Sequence, residues 1–131
     1  MSPMVKAKGA RGKADVLFSK IVRSRGACEN CGRTEPEVQL QCAHIITRGI
    51  GATRCLEDNA FCLCAGCHHR FTHWPVEFRD FIVSKKGEDG YQRLVELARP
   101  GAKAPKWPEV VQQLKERWAQ IEAEQEWDAA S

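Results

Sequence analysis

Two Cys-x-x-Cys pairs, Cys28 with Cys31 and Cys64 with Cys67, constrain the fold of this chain more than any other feature of its sequence. The short turn in each pair directs two sulfurs toward one point, and two such turns complete a tetrahedron of four thiolates. A closed site of this kind can contribute about 10–16 kcal/mol to folding, more than the core of a small domain usually supplies. The sequence therefore predicts a structural zinc ion held by these four cysteines.

The segment between the two pairs is longer than in an ordinary zinc ribbon. It holds 32 residues, from position 32 to position 63, whereas ribbons usually have ~15–20. An additional unit is therefore predicted between the two turns. The four histidines of the chain all lie inside this unit or shortly after it: His44, His68, His69 and His73.

Three further cysteines remain, and the total of seven is odd, which argues against a closed disulfide framework. Cys62 is expected to be a core residue of its strand. Cys55 lies in an arginine-containing loop and has no assigned role. Cys42 should share a strand face with His44, so it is either a packing residue or a soft metal ligand, and we favour packing.

Composition and charge narrow the class of protein. The chain has 131 residues, which suits one compact domain. No apolar run approaches the ~20 residues that cross a bilayer, and the first residues lack the apolar stretch of a signal peptide. We therefore expect an intracellular protein, in which paired cysteines more often bind metal than form disulfides. Eight basic and two acidic residues give positions 1–33 a charge of +6, which favours a polyanion-binding face there.

Periodicity and turn signals predict an α+β fold. We expect a helix over 16–23, capped by Asp15 and ended by Gly26. The elements expected after it are a strand over 38–44, a loop over 47–58, a strand over 60–63, a helix from His68, and helices over 76–84, 91–98 and 109–126. The apolar stripe of the last helix consists of Val110, Val111, Leu114, Trp118 and Ile121.

Three regions follow from this pattern. Residues 1–14 are predicted to be a flexible basic arm, and residues 15–98 the main domain. Residues 99–131 are predicted to be a linker and an amphipathic helix that packs on the domain or extends it.

The motif AHIITRG at 43–49, followed by Asn59 and by Cys-x-x-Cys-His at 64–68, resembles the HNH family of ββα-metal endonucleases. More narrowly, it is similar to the zinc-ribbon HNH nucleases of phages and bacteria. The resemblance is clearest over residues 28–74. It implies a small ββα-metal motif inserted in a four-cysteine zinc ribbon, flanked by an N-terminal helix and C-terminal helices.

The resemblance also implies an activity and the residues that carry it. The activity is hydrolysis of DNA phosphodiester bonds with a divalent cation, leaving 5′-phosphate and 3′-hydroxyl ends. His44 would be the general base, Asn59 would orient the imidazole through its side-chain amide, and His68 would bind the catalytic metal. An ordinary histidine pKa near ~6.5 suits proton abstraction from water at neutral pH.

The chain departs from the family pattern at two positions where many members carry metal ligands, which are Ala43 and Thr72 here. His68 is then the one firm ligand, with water and substrate phosphate completing the shell. Further candidate ligands are Asn59, Asp58, and His69 with His73 as an i,i+4 pair. We expect weak, exchangeable binding of Mg²⁺, Mn²⁺ or another first-row ion.

Arginines near the predicted base are expected to hold DNA. Arg48 and Arg54 flank the sequence Gly49-Ile50-Gly51, whose glycines would allow close approach of the backbone, and Arg70 would extend the track. Phosphate contacts carry no base information, so low sequence specificity is expected. One active site per chain should nick one strand per event.

Other readings of the same residues remain open. The main alternative is a non-catalytic zinc-ribbon module that binds nucleic acid or a protein. The others are an inactive HNH scaffold that has lost a metal ligand at Ala43, and a nuclease acting on RNA. The expected partner is DNA, with no membrane and no small-molecule substrate. The oligomeric state is open between monomer and homodimer, and by resemblance the protein is cytoplasmic and encoded by a bacterium or phage.

Overall fold

The computed structural model of the protein describes residues 9–130 and contains one hairpin surrounded by helices. Its elements are helix α1 (Gly9–Arg23), strand β1 (Leu40–His44), helix α2 (Gly51–Arg54), a 3-10 turn (Glu57–Asn59), strand β2 (Ala60–Cys64), helix α3 (Ala65–His73), helix α4 (Pro75–Leu97) and helix α5 (Trp107–Ala130). The prediction of an α+β fold is confirmed. No helix within the described range is both long and apolar enough to cross a membrane.

The hairpin forms the centre of the domain. β1 and β2 pair antiparallel, with Leu40 opposite Cys64 and His44 opposite Ala60. All of β2 is buried. On its far side, the backbone N–H of Glu29 donates to the carbonyl of Cys62 at 2.8 Å. The N–H of Cys62 donates back to the Glu29 carboxylate at 2.6 Å. The first Cys-x-x-Cys turn therefore covers one side of β2, and β1 is left as the free edge.

Helices α1 and α5 pack against each other beside the hairpin. The buried face of α1 has helical spacing and consists of Ala14, Phe18, Ile21 and Val22. The stripe predicted for the last helix is confirmed: Val111, Leu114 and Ile121 are buried, and Val110 and Trp118 pack partly buried against the core. The C-terminal helix is thus a packing element of the domain.

Helices α3 and α4 pack on the hairpin through four phenylalanines. The ring of Phe61 on β2 lies 4.7 Å from the ring of Phe81 and 6.3 Å from that of Phe78, centroid to centroid. Phe71 of α3 stacks on the same two rings at 4.9 and 5.3 Å. These contacts hold α3 in place relative to the strands.

The N-terminal boundary differs from the prediction. α1 begins at Gly9, so positions 9–14 are helical rather than part of a flexible arm, and Ala14 is fully buried. Residues 1–8 of the predicted arm lie outside the described residues. Asp15 lies within the helix and not at its N-cap, because Ala10 and Ala14 pack against the core and stabilise the first turns of the helix in spite of Gly12.

Other boundaries differ by a few residues. α3 begins at Ala65 and not at His68, because the Cys64 sulfur caps it by accepting the Cys67 N–H at 3.4 Å. The two helices predicted between 76 and 98 are present as two segments of α4, because the backbone of Gly87, whose φ of 75° is in the region that favours glycine, is not helical. The predicted loop over 47–58 contains α2 and the start of the 3-10 turn.

Candidate functional site

The four cysteines of the two turns meet in one cluster. Their sulfur atoms all lie within 4.8 Å of one another. Cys31 Sγ and Cys64 Sγ are 3.8 Å apart, and a tetrahedral zinc with ~2.3 Å Zn–S bonds has sulfur–sulfur edges of about 3.8 Å. Each turn also directs a backbone N–H at a sulfur, from Cys31 to Cys28 at 3.5 Å and from Cys67 to Cys64 at 3.4 Å. The cluster is therefore compatible with the predicted zinc ion.

The remaining cysteines, Cys42, Cys55 and Cys62, lie outside this cluster. Burial raises the pKa of Cys42 to about 11, of Cys55 to about 12 and of Cys62 to about 11. This supports the packing interpretation of Cys42, although its side chain reaches the cleft described next.

A cleft of about 970 Å³ runs along the free edge of β1. One wall is formed by α1 and the other by α3 and the start of α4. His44 and His68 both line it, and their side chains come from different elements. The other lining residues are Asp15, Phe18, Ser19, Arg23, Gln39, Leu40, Gln41, Cys42, Ile45, Thr47, Arg48, Phe71, Thr72, Pro75 and Phe78.

His44 is held by a ring contact and a backbone carbonyl. Its ring packs on Phe18 of α1 with centroids 5.5 Å apart, and its Nε2 lies 2.9 Å from the carbonyl oxygen of Arg54. A carbonyl only accepts, so Nε2 carries the hydrogen and Nδ1 keeps a lone pair. Burial lowers the pKa of His44 below its ordinary value of 6.5, so the ring is neutral at pH 7. A neutral imidazole with a free lone pair can take a proton from water.

Asn59 acts on this arrangement indirectly. Its side chain is fully buried. Its Oδ1 accepts the N–H of Ile46 at 2.8 Å, and its Nδ2 donates to the carbonyls of Ile46 at 3.1 Å and Thr53 at 2.9 Å. The sequence predicted that this amide orients the imidazole, but its oxygen and its nitrogen both bond to backbone groups instead. It holds the backbone of the loop, whose next carbonyl, that of Arg54, bonds His44.

Replacing Asn59 by alanine is expected to destabilise the domain by about 2–5 kcal/mol, because buried backbone groups at two residues lose their partners. The measurement is the free energy of unfolding of the metal-loaded protein in denaturant. Thr53→Val is a matched control: Thr53 Oγ1 is buried with no hydrogen-bond partner in the described residues. That change should cost less than about 1 kcal/mol or stabilise the domain. Equal losses for both variants would contradict the assigned role of Asn59.

His68 is also held by an oxygen acceptor, but through Nδ1, whereas His44 is held through Nε2. The Nδ1 of His68 lies 2.8 Å from Oε1 of Gln41, and the Gln41 amide nitrogen in turn donates to Oε1 of Gln39 at 3.3 Å. Gln41 thus accepts from Nδ1–H, which leaves the Nε2 lone pair of His68 free for a metal. Burial lowers the pKa of His68 as well. Sequence reasoning missed Gln41, although a polar residue inside an otherwise apolar strand was a usable signal.

The other candidate ligands of a catalytic cation lie outside the cleft. Asp58 is exposed in a separate cleft, with its carboxylate 3.9 Å from the Lys86 ammonium. The Asn59 amide is bonded to backbone. His69 and His73 do form an i,i+4 pair, with ring centroids 4.3 Å apart, but both are exposed and neither lines the cleft. Among the candidates, the chain therefore offers such a cation one ligand, His68.

Two of the three predicted DNA-binding arginines have partners within the protein. Arg54 donates to Asp15 from Nε at 2.7 Å and from Nη2 at 2.5 Å, and from Nη1 to the carbonyl of Arg48 at 2.7 Å. Arg70 pairs with Glu77 at 2.8 and 3.1 Å and does not line the cleft. Arg54 therefore has a structural task, and Arg70 is not a cleft residue.

Arg48 keeps the place expected of a phosphate-binding residue. It is exposed and lines the cleft, as does Arg23 of α1, one of the basic residues of positions 1–33 for which the sequence predicted a polyanion-binding face. Gly51 was predicted to allow close approach of the backbone to DNA, but in the structure it packs against the segment before α5. A Cβ there would lie 3.0 Å from the Cβ of Ala104 and 3.5 Å from the ring of Trp107. Its small size therefore allows the segment before α5 to pack on α2.

Comparisons with protein-family models, with curated proteins and with solved structures found no match for this chain.

Proposed function

We propose that the protein is a metal-dependent DNA endonuclease that hydrolyses phosphodiester bonds with low sequence specificity and nicks one strand per event. One observation carries the proposal: His44 and His68 line the same cleft. Each has one ring nitrogen bonded to an oxygen acceptor, so each presents a single lone pair. The chain order of hairpin, Cys-x-x-Cys turn and helix supports the resemblance to zinc-ribbon HNH nucleases.

In this proposal, the residues of the chain carry out the proton transfer and hold the substrate. His44 Nδ1 accepts a proton from the water that attacks phosphorus, while the carbonyl of Arg54 stabilises the imidazolium that forms. Arg48 and Arg23 bind phosphate oxygens at the cleft. The bond between phosphorus and the 3′-oxygen breaks, and the departing oxygen takes a proton from solvent, which leaves 5′-phosphate and 3′-hydroxyl ends.

The donor set of the cleft fits a weakly held cation. His68 Nε2 would bind it, and water and phosphate oxygens would complete its coordination shell. Apart from the four cysteines, the described residues contain no cluster of three candidate metal ligands. A divalent cation there supplies charge neutralisation at the phosphoryl oxygens and the leaving oxygen. Mg²⁺, Mn²⁺ or another first-row ion remains the expectation, and zinc is assigned to the cysteine cluster.

Nicking of supercoiled plasmid tests the proposal. The zinc-loaded protein with added Mn²⁺ or Mg²⁺ should convert supercoils to open circles, and brief treatment with a metal chelator that leaves the zinc cluster loaded should stop the reaction. DNA ligase should reseal the circles without prior end repair, because the ends carry 5′-phosphate and 3′-hydroxyl groups. DNA binding without nicking in any cation would favour the alternative, a non-catalytic zinc-ribbon module that binds nucleic acid.

The pH dependence of nicking is expected to follow the burial of His44. Neutral imidazole is the active form, and burial lowers the pKa of His44 below 6.5. The rate should therefore rise with pH, reach half its plateau below pH 6.5, and be nearly level at pH 7. The initial rate measured between pH 5 and 8 at saturating Mn²⁺ checks this, with domain integrity confirmed by circular dichroism at each pH. A midpoint above pH 7 would contradict the assignment of His44 as base.

A further inference from the structure

The side chain of Arg54 is fixed at three nitrogen atoms. Asp15 of α1 takes two of them, with Oδ1 2.7 Å from Nε and Oδ2 2.5 Å from Nη2. The side chains of Arg54 and Asp15 are only 14% and 23% exposed. The third nitrogen, Nη1, donates to the carbonyl of Arg48 at 2.7 Å. A bidentate pair with little solvent access restricts both partners to one geometry.

The main chain of the same arginine holds the proposed base. The carbonyl oxygen of Arg54 accepts the Nε2–H of His44 at 2.9 Å. The preceding carbonyl, that of Thr53, accepts from the Asn59 amide at 2.9 Å. The Thr53–Arg54 segment is therefore held from two sides, by Asn59 at the Thr53 backbone and by Asp15 of α1 at the Arg54 side chain.

We propose that Asp15 is a positioning residue for His44: it clamps the Arg54 side chain so that the Arg54 carbonyl holds the imidazole with its Nδ1 lone pair free for water. The clamp also places Arg48, since the third Arg54 nitrogen holds the Arg48 backbone. The catalytic consequence rests on the proposed nuclease function, whereas the clamp itself does not.

The need for this clamp follows from the short loop elements. α2 has four residues, too few to be stable as an isolated helix. Its side-chain N-cap bond is absent, so its position depends on contacts with neighbouring elements. Without the Asp15 carboxylate, the largely buried guanidinium would turn toward water and the Arg54 carbonyl would lose its fixed direction. Outer partners that orient metal-binding histidines typically contribute about 10–100-fold to activity, and we expect an effect of the same order for a base that is held through one intermediate residue.

The test compares Asp15→Ala and Asp15→Asn with the wild type by two readouts. The first is the solvent-exchange rate of the His44 Nε2–H in ¹⁵N-labelled, zinc-loaded protein without DNA, measured by NMR. The expected result is an exchange at least about 10-fold faster in both variants. The second is plasmid nicking, for which kcat should fall about 10–100-fold, with a smaller change in KM. Arg117→Ala is the matched control: it breaks an ion pair of 3.0 Å to Glu57 in the same loop but does not contact Asp15 or Arg54.

Each outcome decides the proposal. Unchanged Nε2–H exchange in a folded Asp15 variant would overturn it, as would an equal acceleration in Arg117→Ala. Faster exchange in the Asp15 variants, with no nicking even by the wild type, would retain the clamp and refute the nuclease function. If Asp15→Ala fails to fold, Asp15→Asn decides, because it keeps the shape and one acceptor while removing the charge.

Discussion

Replacing Cys64 by serine, or stripping zinc from the wild type with a strong chelator, is expected to unfold the domain. Four-cysteine zinc sites contribute about 10–16 kcal/mol, which equals or exceeds the whole stability of about 5–15 kcal/mol typical of a domain. Cys64 ends β2, where it pairs with Leu40, and it immediately precedes α3. Serine at this position keeps the backbone pairing and can cap the helix, so the substitution removes specifically a thiolate of the cluster.

The measurements are zinc content and thermal unfolding. The wild type should hold one zinc per chain and unfold cooperatively, whereas Cys64→Ser should lack a cooperative transition at any temperature. Cys55→Ala is the control, because Cys55 is half-buried and lies outside the cluster. It should keep its zinc and unfold within a few degrees of the wild type. A Cys64→Ser protein with the wild-type transition would show that the cluster does not hold the fold.

Replacing His44 by alanine is expected to reduce plasmid nicking by about 10²–10⁴-fold, the usual contribution of a general base. The reason is chemical: Nδ1 of His44 holds the free lone pair assigned to take the proton of the attacking water. DNA affinity should change little, since Arg48 and Arg23 remain at the cleft. Nicking rate and DNA affinity are both measured at a pH near 7.

Chemical rescue separates a lost base from a disturbed fold. His44→Ala leaves a space beside Phe18, so added imidazole should restore part of the rate without changing the wild-type rate. The variant should also retain its zinc and a cooperative unfolding transition. Full nicking activity by His44→Ala at equal protein concentration would remove His44 from the mechanism.

Local sequence rules predicted most of the scaffold. The two Cys-x-x-Cys turns, the strands on either side of Asn59 and the amphipathic last helix follow from spacing and periodicity over a few residues. The backbone hydrogen bond from Glu29 to Cys62 then brings the first turn beside β2, where it meets the second turn. The turns, the strands and the last helix need no knowledge of distant contacts, which is why the sequence was sufficient for them.

The hydrogen-bond network of the cleft could not be predicted from the sequence, because it depends on pairs of residues that are far apart in the chain. Asp15 and Arg54 are separated by 39 positions, and Gln41 and His68 by 27. From the sequence, Asp15 before an apolar run indicates a helix cap, and Arg54 in a glycine-containing loop indicates a phosphate-binding residue. Only the packing of α1 against the hairpin shows that these two charges neutralise each other.

The initial rate of plasmid nicking by four single variants, in which each histidine in turn is replaced by alanine, tests the central claim most directly. The rates are compared at saturating Mn²⁺ with zinc content verified. Loss of activity from His44→Ala and His68→Ala, together with near wild-type rates from His69→Ala and His73→Ala, is the predicted result. Similar rates from all four variants would contradict a shared active cleft.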